Sequence, residues 1–224
     1  MTELRNTVRK KHQLVDRQDG GVEPEAAGGA PADLEGAPGA EQLILVDDAD
    51  REIGHMAKAD CHAGGGVLHR AFSLFIFNAR DELLVQQRSA GKSLWPSYWS
   101  NSCCSHPRCG ESMSTAIHRR LMEELGLHCA LTFLFKFKYQ AQYDSGSAEY
   151  ELCSVFYGRS STPVRANHAE VSDWRWMGLA ELQAQLADPA EHYTPWFKLE
   201  WQQIQRDHLN DILLPGGTRA WGFR

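Results

Sequence analysis

Between Trp95 and Leu127 the chain reads WPSYWSNSCCSHPRCGESMSTAIHRRLMEELGL, which passes from an extended, polar stretch into a helix. Met113, Ile117, Leu121 and Leu125 recur at the spacing of one helix face, so the second half must lay that stripe against a core. The result is a strand-loop-helix unit on which the remaining chain has to pack. In an extended segment Cys104 and His106 point to one side and Cys103 to the other. Cys104 is therefore expected at the lip of a pocket and Cys103 in the interior. On the helix, Arg120 and Glu124 are four residues apart and lie one above the other, at the expected rim of the buried face.

The flanking sequence reads mainly as strands. QLILVDD from residue 42 is a short apolar run closed by acidic turn residues, and strands are expected over 69–77 and 82–88 with a turn at 78–81. The Gly64-Gly65-Gly66 run makes a loop between His62 and His69. Residues 131–143 alternate as a half-buried strand, DSGS turns the chain, and AEYELCSVFYG returns as its hairpin partner. WRWM (174–177) is a further strand, LAELQAQLA a helix, and TPWFKLEWQQIQRDHLNDIL a last helix with Pro195 in its first turn. Strands with few helices and no βαβ alternation point to an α+β fold of mixed sheet flanked by helices.

Residues 1–40 are rich in Gly, Ala and Pro after a mixed-charge start, too poor in large apolar side chains to offset the entropy of ordering, and are expected to be a flexible leader. Residues 41–210 are expected to form the domain and 211–224 a tail. A net charge of -6 with no long basic run argues against nucleic acid as a partner. No 18-residue apolar run suggests a membrane span, and no signal peptide is apparent. Six cysteines in no regular framework suit free thiols in a reducing cytoplasm. A monomer is expected.

His62, His69 and His106, with Glu149 and Glu151 on one face of a strand, make a donor set suited to a divalent metal such as Mn²⁺, Zn²⁺ or Mg²⁺. Taken singly, a histidine is more often a surface or hydrogen-bonding residue, and alternating acidic residues on a strand are more often a solvated face. Lys58, Arg88, Lys92 and Arg120 lie in separate segments; brought together they would grip a diphosphate, with Glu124 as the carboxylate for its Mg²⁺.

Arg119 to Leu127 (RRLMEELGL), with Glu111 upstream, resembles the core of a Nudix box. Arg120 stands where the box has a glutamate and Ser105 where it has its first glycine. WPSYWSNSCCSHP, AFSLFIFNARDELLVQQRS, the AEYEL strand and TPWF extend the resemblance, over about residues 41–205, to the type I isopentenyl-diphosphate isomerase family of Nudix fold. That resemblance implies interconversion of isopentenyl and dimethylallyl diphosphate through a tertiary carbocation. It implies a proton-transferring Cys104, an opposed Glu151 with Tyr139 beside it, and Trp196 lining the isoprenyl pocket. It places metal ligands at His62, His69, His106, Glu149 and Glu151, diphosphate-bound Mg²⁺ at Glu124, and anion contacts at Lys58, Arg88, Lys92 and Arg120. The alternatives are a Nudix pyrophosphohydrolase acting on nucleotide diphosphates and a zinc module built on histidines and cysteines.

Overall fold

Residues 69–77, HRAFSLFIF, carry two apolar sets on alternate sides, and the architecture is built on both of them. The computed structural model describes residues 41–213; the expected leader, and the expected tail from residue 214 onward, lie outside them. The strands are β1 (Gln42–Val46), β2 (Glu52–Ala57), β3 (His69–Phe77), β4 (Leu83–Arg88), β5 (Trp99–Ser100), β6 (Cys103–Ser105), β7 (Leu131–Gln142), β8 (Ala148–Arg159) and β9 (Val171–Met177). The helices are α1 (Lys58–Cys61), α2 (Met113–Leu125), α3 (Leu179–Ala187), α4 (Pro195–Asp207) and α5 (Leu209–Leu213).

β3 is the hub of a nine-stranded sheet. It pairs in parallel with β8 along its whole length and antiparallel with β1, β4 and β6. β7 and β8 form the expected hairpin, and β9 closes against β4. One side of β3, Phe72, Leu74 and Ile76, packs against Ile117, Leu121 and Leu125 of α2. The other, Ala71, Phe75 and Phe77, packs against Phe197, Trp201 and Ile204 of α4. The α+β expectation holds, with helices on both faces of a mixed sheet.

α2 begins where Ser112 Oγ accepts from Thr115 N at 3.1 Å, and such a cap contributes about 1 kcal/mol. It ends at Gly126, with φ +65° and Leu127 N donating to Leu121 O at 3.4 Å. A Cβ at Gly126 would lie 2.8 Å from Arg165 Cβ, so steric contact and backbone strain act together. Gly126→Ala is expected to destabilise the protein by more than about 1 kcal/mol, read as a lower urea midpoint; an unchanged midpoint would contradict that geometry.

β2, α1 and the division of the Trp99–Ser105 stretch into β5 and β6 are additions to the elements expected from the sequence. The last strand begins at Val171, three residues before the expected 174. The last helix is broken at His208, which leaves helical geometry while its ring stacks on Phe135 at 5.4 Å.

Candidate active site

Cys103 and Cys104 part ways across β6, as extended backbone requires. Cys103 is sealed on the α2 side, and Cys104 faces the other side beside Tyr139, Trp196 and Glu151. These four line a cavity of about 670 Å³, together with His62, His106, Glu149 and the four basic residues Lys58, Arg88, Lys92 and Arg120. Two expected site residues do not line it: His69 lies behind the other histidines, and Glu124 lies beneath Arg120.

The histidines arrive from three segments. His62 closes α1, His69 opens β3 and His106 follows β6, yet their ring centroids are only 4.8–5.6 Å apart. Glu149 and Glu151 project from β8 onto the same group, since residues two apart on a strand share a face. Glu151 pairs with His69 in the β3–β8 register and with Tyr139 in the β7–β8 register. Its Oε1 lies 2.8 Å from His106 Nε2, and its Oε2 accepts from the Tyr139 hydroxyl at 2.7 Å.

The donor set fits one divalent cation. One ligand atom from each of His62, His69, His106 and Glu149 lies within 4.8 Å of the others, slightly wider than the limit of about 4.2 Å set by two bonds of about 2.1 Å, so small side-chain shifts bring them onto one ion. His69 Nδ1 donates to Val67 O at 2.7 Å, which in the neutral ring leaves Nε2 as the lone pair, although here the Glu151 and Glu149 carboxylates outweigh burial and raise this imidazole above its ordinary value. His69 Nε2, His62 Nε2 and Glu149 Oε2 are all buried without a hydrogen-bond partner, although His62 Nε2 and Glu149 Oε2 are 3.0 Å apart. They converge without bonding one another, as atoms awaiting a shared ion do. Burial lowers His62 to about 4 and His106 to about 3, keeping both imidazoles neutral and able to coordinate. Burial and the Glu151 charge raise Glu149 above the usual carboxylate range; against burial, the hydrogen bond from His106 and the nearby His69 hold Glu151 well below it. Two carboxylates this close cannot both ionise comfortably without added positive charge. No cysteine belongs to this cluster, so the thiolate zinc module finds no support among the described residues.

Cys104 Sγ accepts from Trp196 Nε1 at 3.3 Å and donates to Asn101 Oδ1 at 3.5 Å. Burial pushes its thiol up to about 12, so it holds its proton at neutral pH. Trp196 is placed by α4 directly after Pro195, with the Arg88 guanidinium 5.2 Å over its ring. Arg88 also donates to the carbonyls of Leu94 at 2.8 Å and Trp95 at 3.1 Å, tying down a turn in which Trp95 and Ser97 have positive φ.

The basic side chains meet as expected but are not free. Lys58 pairs with Glu41 at 3.3 Å, Lys92 with Glu170, and Arg120 with Glu123, Glu124 and Glu170. Glu41 and Glu170, which sequence reasoning missed, both line the cavity; their place beside cations emerges only from contacts far apart in sequence. The expectation that Arg120 and Glu124 sit at the rim of α2 is corrected for Glu124, which is 1 % exposed and accepts from Gln86 Nε2 at 3.1 Å. The buried stripe is wider than the four apolar positions and takes in Ala116 and Glu124. With its carboxylate spent on Arg120 and Gln86, Glu124 in this arrangement does not fit a Mg²⁺ ligand, and no step is derived through such an ion.

The NUDIX domain family matches residues 67–197. The chain is 43% identical over 174 residues to isopentenyl-diphosphate Delta-isomerase 1 of Photorhabdus laumondii, a match spanning 77% of this chain and 99% of that protein. It is 41% identical over 163 residues to isopentenyl-diphosphate Delta-isomerase of Pectobacterium atrosepticum, covering 73% and 90%. A Deinococcus radiodurans crystal structure is similar with TM-score 0.61 at 22% identity, covering 73% of this chain and 98% of the other. A MutT protein from Methanosarcina mazei follows with TM-score 0.52 at 17% identity, covering 62% and 94%. These two structures speak for the fold alone.

Proposed function

The chain belongs to the isopentenyl-diphosphate Delta-isomerase family of NUDIX proteins, and from that premise we propose that it converts isopentenyl diphosphate to dimethylallyl diphosphate. The observation that carries the reading is the placement of Cys104 and Glu151 in one cavity, on β6 and β8 with β3 between them. Moving the double bond requires a proton added at C4 and another removed at C2, so two proton-transferring groups must face the same substrate. A single positioned acid contributes about 10² to 10⁴ in rate.

Cys104 holds its proton and is the group that gives it; Glu151, held ionised by its neighbours, is the group that takes one. Tyr139 and His106 fix the two oxygens of Glu151 in place. His62, His69, His106, Glu149 and Glu151 would hold one divalent metal, Mn²⁺, Zn²⁺ or Mg²⁺, which when bound supplies the positive charge that two adjacent carboxylates need.

The intermediate is a tertiary carbocation. The Trp196 face, already turned to a guanidinium in this structure, stabilises a cation by about 0.5 to 2 kcal/mol. Its larger task is to exclude water, which would capture the cation as an alcohol. Lys58, Arg88, Lys92 and Arg120 hold the diphosphate, whose binding energy positions a small apolar tail. The six free cysteines suit a reducing compartment, the cytoplasm. Among the described residues no helix is long and apolar enough to cross a membrane.

Arg120 also argues against a pyrophosphohydrolase. Where a hydrolase presents its acidic helix to Mg²⁺, this protein has a guanidinium ion-paired with Glu123 and Glu124. Incubation in deuterated water with isopentenyl diphosphate is expected to give dimethylallyl diphosphate carrying deuterium in the new methyl group. Phosphate or pyrophosphate release from nucleotides with no isomerisation would sink the reading.

A further inference from the structure

The three histidines of the cluster are not held with equal firmness. His69 is fixed by the β3–β8 register and by the bond from its Nδ1 to Val67 O, and His106 by its contact with Glu151 at 2.8 Å. His62 follows a helix of only four residues, and its ring, although close to Glu149, has no hydrogen bond among the described contacts. Its place in the cluster is therefore set by its backbone.

That backbone is strapped to the β7–β8 hairpin. Ala148 N donates to His62 O at 2.9 Å and Gly64 N to Gly146 O at 2.7 Å, with Ala63 opposite Ser147. The chain then turns through Gly64 and Gly66, both with positive φ. Among the described contacts no backbone N–H reaches the carbonyls of Gly64 and Gly65. Two side chains of β7 do: Gln140 Nε2 donates to Gly65 O at 2.7 Å, and Gln142 Nε2 to Gly64 O at 2.9 Å. Gln142 Nε2 also donates to the carbonyls of Asp144 at 2.7 Å and Ser147 at 3.1 Å, so one amide ties the glycine loop to the hairpin turn. Three carbonyls around one amide atom require it to be the nitrogen. A Cβ at Gly66 would come within 3.2 Å of Ala148 O and Tyr150 Cβ, so the loop lies directly on β8.

Gln140 and Gln142 share the face of β7 opposite Tyr139. Both are exposed, and neither lines the cavity or belongs to an apolar cluster. The sheet itself has no need of an amide there, since β-branched or aromatic residues suit an open strand face better. What the two amides hold is the loop. It carries two of the histidines, one at each end, and the hairpin carries Glu149 and Glu151. Fastening one to the other keeps His62 beside Glu149 before an ion arrives, so that binding does not bear the entropy of ordering the loop.

We propose that Gln140 and Gln142 are positioning residues for the metal centre, holding His62 where the ion needs it. The proposal rests on the reading of the histidine and glutamate cluster as a metal site. The glutamines touch no ligand atom and act on His62 through the carbonyls of Gly64 and Gly65.

The test is a chelator competition on the Zn²⁺-loaded full chain, parent against the double variant Gln140→Met with Gln142→Met, which keeps side-chain length and loses the donors. Zn²⁺ retained per chain is measured as the chelator is raised. The double variant is expected to bind Zn²⁺ about 10- to 100-fold more weakly, as loss of hydrogen bonds behind a ligand does. Lys138→Met, on the same face of β7 but paired with Asp48, is the control and is expected to stay within about twofold of the parent. A general loosening of the hairpin is separated by dependence on His62. In a His62→Ala background the glutamine pair should change affinity by less than about twofold, because the ligand it places is gone. Unchanged affinity in the double variant, an equal loss in the control or in the His62→Ala background, or a double variant that does not fold would each overturn the proposal. A parent that retains no Zn²⁺ would overturn the metal site itself, an outcome distinct from any of these.

Discussion

Replacing Cys104 by alanine is expected to lower turnover by about two to four orders of magnitude, the range a positioned proton donor contributes. The side chain makes no contact on which the fold depends. Its neighbours Ser100, Asn101 and Trp196 keep other packing or partners: Ser100 bonds Thr194 at 3.0 Å, and Asn101 bonds the carbonyls of Leu74 and Cys103 at 3.2 and 3.0 Å. The melting temperature should move little. The adjacent thiol gives the internal control. Cys103 is fully buried among Phe72, Leu74 and Leu121, so Cys103→Ser puts a hydroxyl into an apolar site and is expected to lower stability by about 1–3 kcal/mol with little change in kcat. Comparison of kcat and melting for the two variants decides the assignment. If Cys103→Ser proved the more damaging to kcat, the thiol roles would have to be exchanged.

Glu151→Gln is expected to be as damaging, for a different combination of reasons. The amide keeps the size of the side chain but cannot take a proton, and the full general-base contribution of about 10² to 10⁴ is at risk. It also replaces an oxygen facing His106 or Tyr139 with a donor, so a buried bond is lost as well as a charge. Metal content per chain, measured after dialysis, separates the two roles. Retained metal with lost turnover identifies proton transfer; loss of both identifies metal holding. Near-normal turnover would refute the assignment.

How much of this was legible in the sequence follows from the range of the forces involved. The stripe on α2, the β7–β8 hairpin, Pro195 at the start of α4 and the alternation that parts Cys103 from Cys104 are local, and the sequence carries them. The histidine cluster was legible as a donor set but not as a cluster, because His62, His69 and His106 meet only through the pairing of β3 with β6 and the closure of the glycine loop. Glu200 was passed over inside an otherwise correct helix: its position between Phe197 and Ile204 puts it on the buried face, and the four-residue spacing from Trp196 was the available signal. Glu124 was misjudged because the apolar residues alone mark too narrow a stripe; the helix also buries a carboxylate once Arg120 and Gln86 reach it.

The carboxylate of Glu170 bridges Lys92 and Arg120, two of the cations proposed to hold the diphosphate, so this part of the proposed anion site already has an occupant. Binding there is an exchange of one anion for another. The gain is the difference between a diphosphate and a carboxylate in the same cationic setting, which favours the ligand that spans both side chains with several oxygens. A singly charged carboxylate metabolite gains little by displacing a tethered one. The ion pairs thus act as a threshold: they keep the two cations in position between turnovers and set a minimum charge below which an anion does not displace the resident.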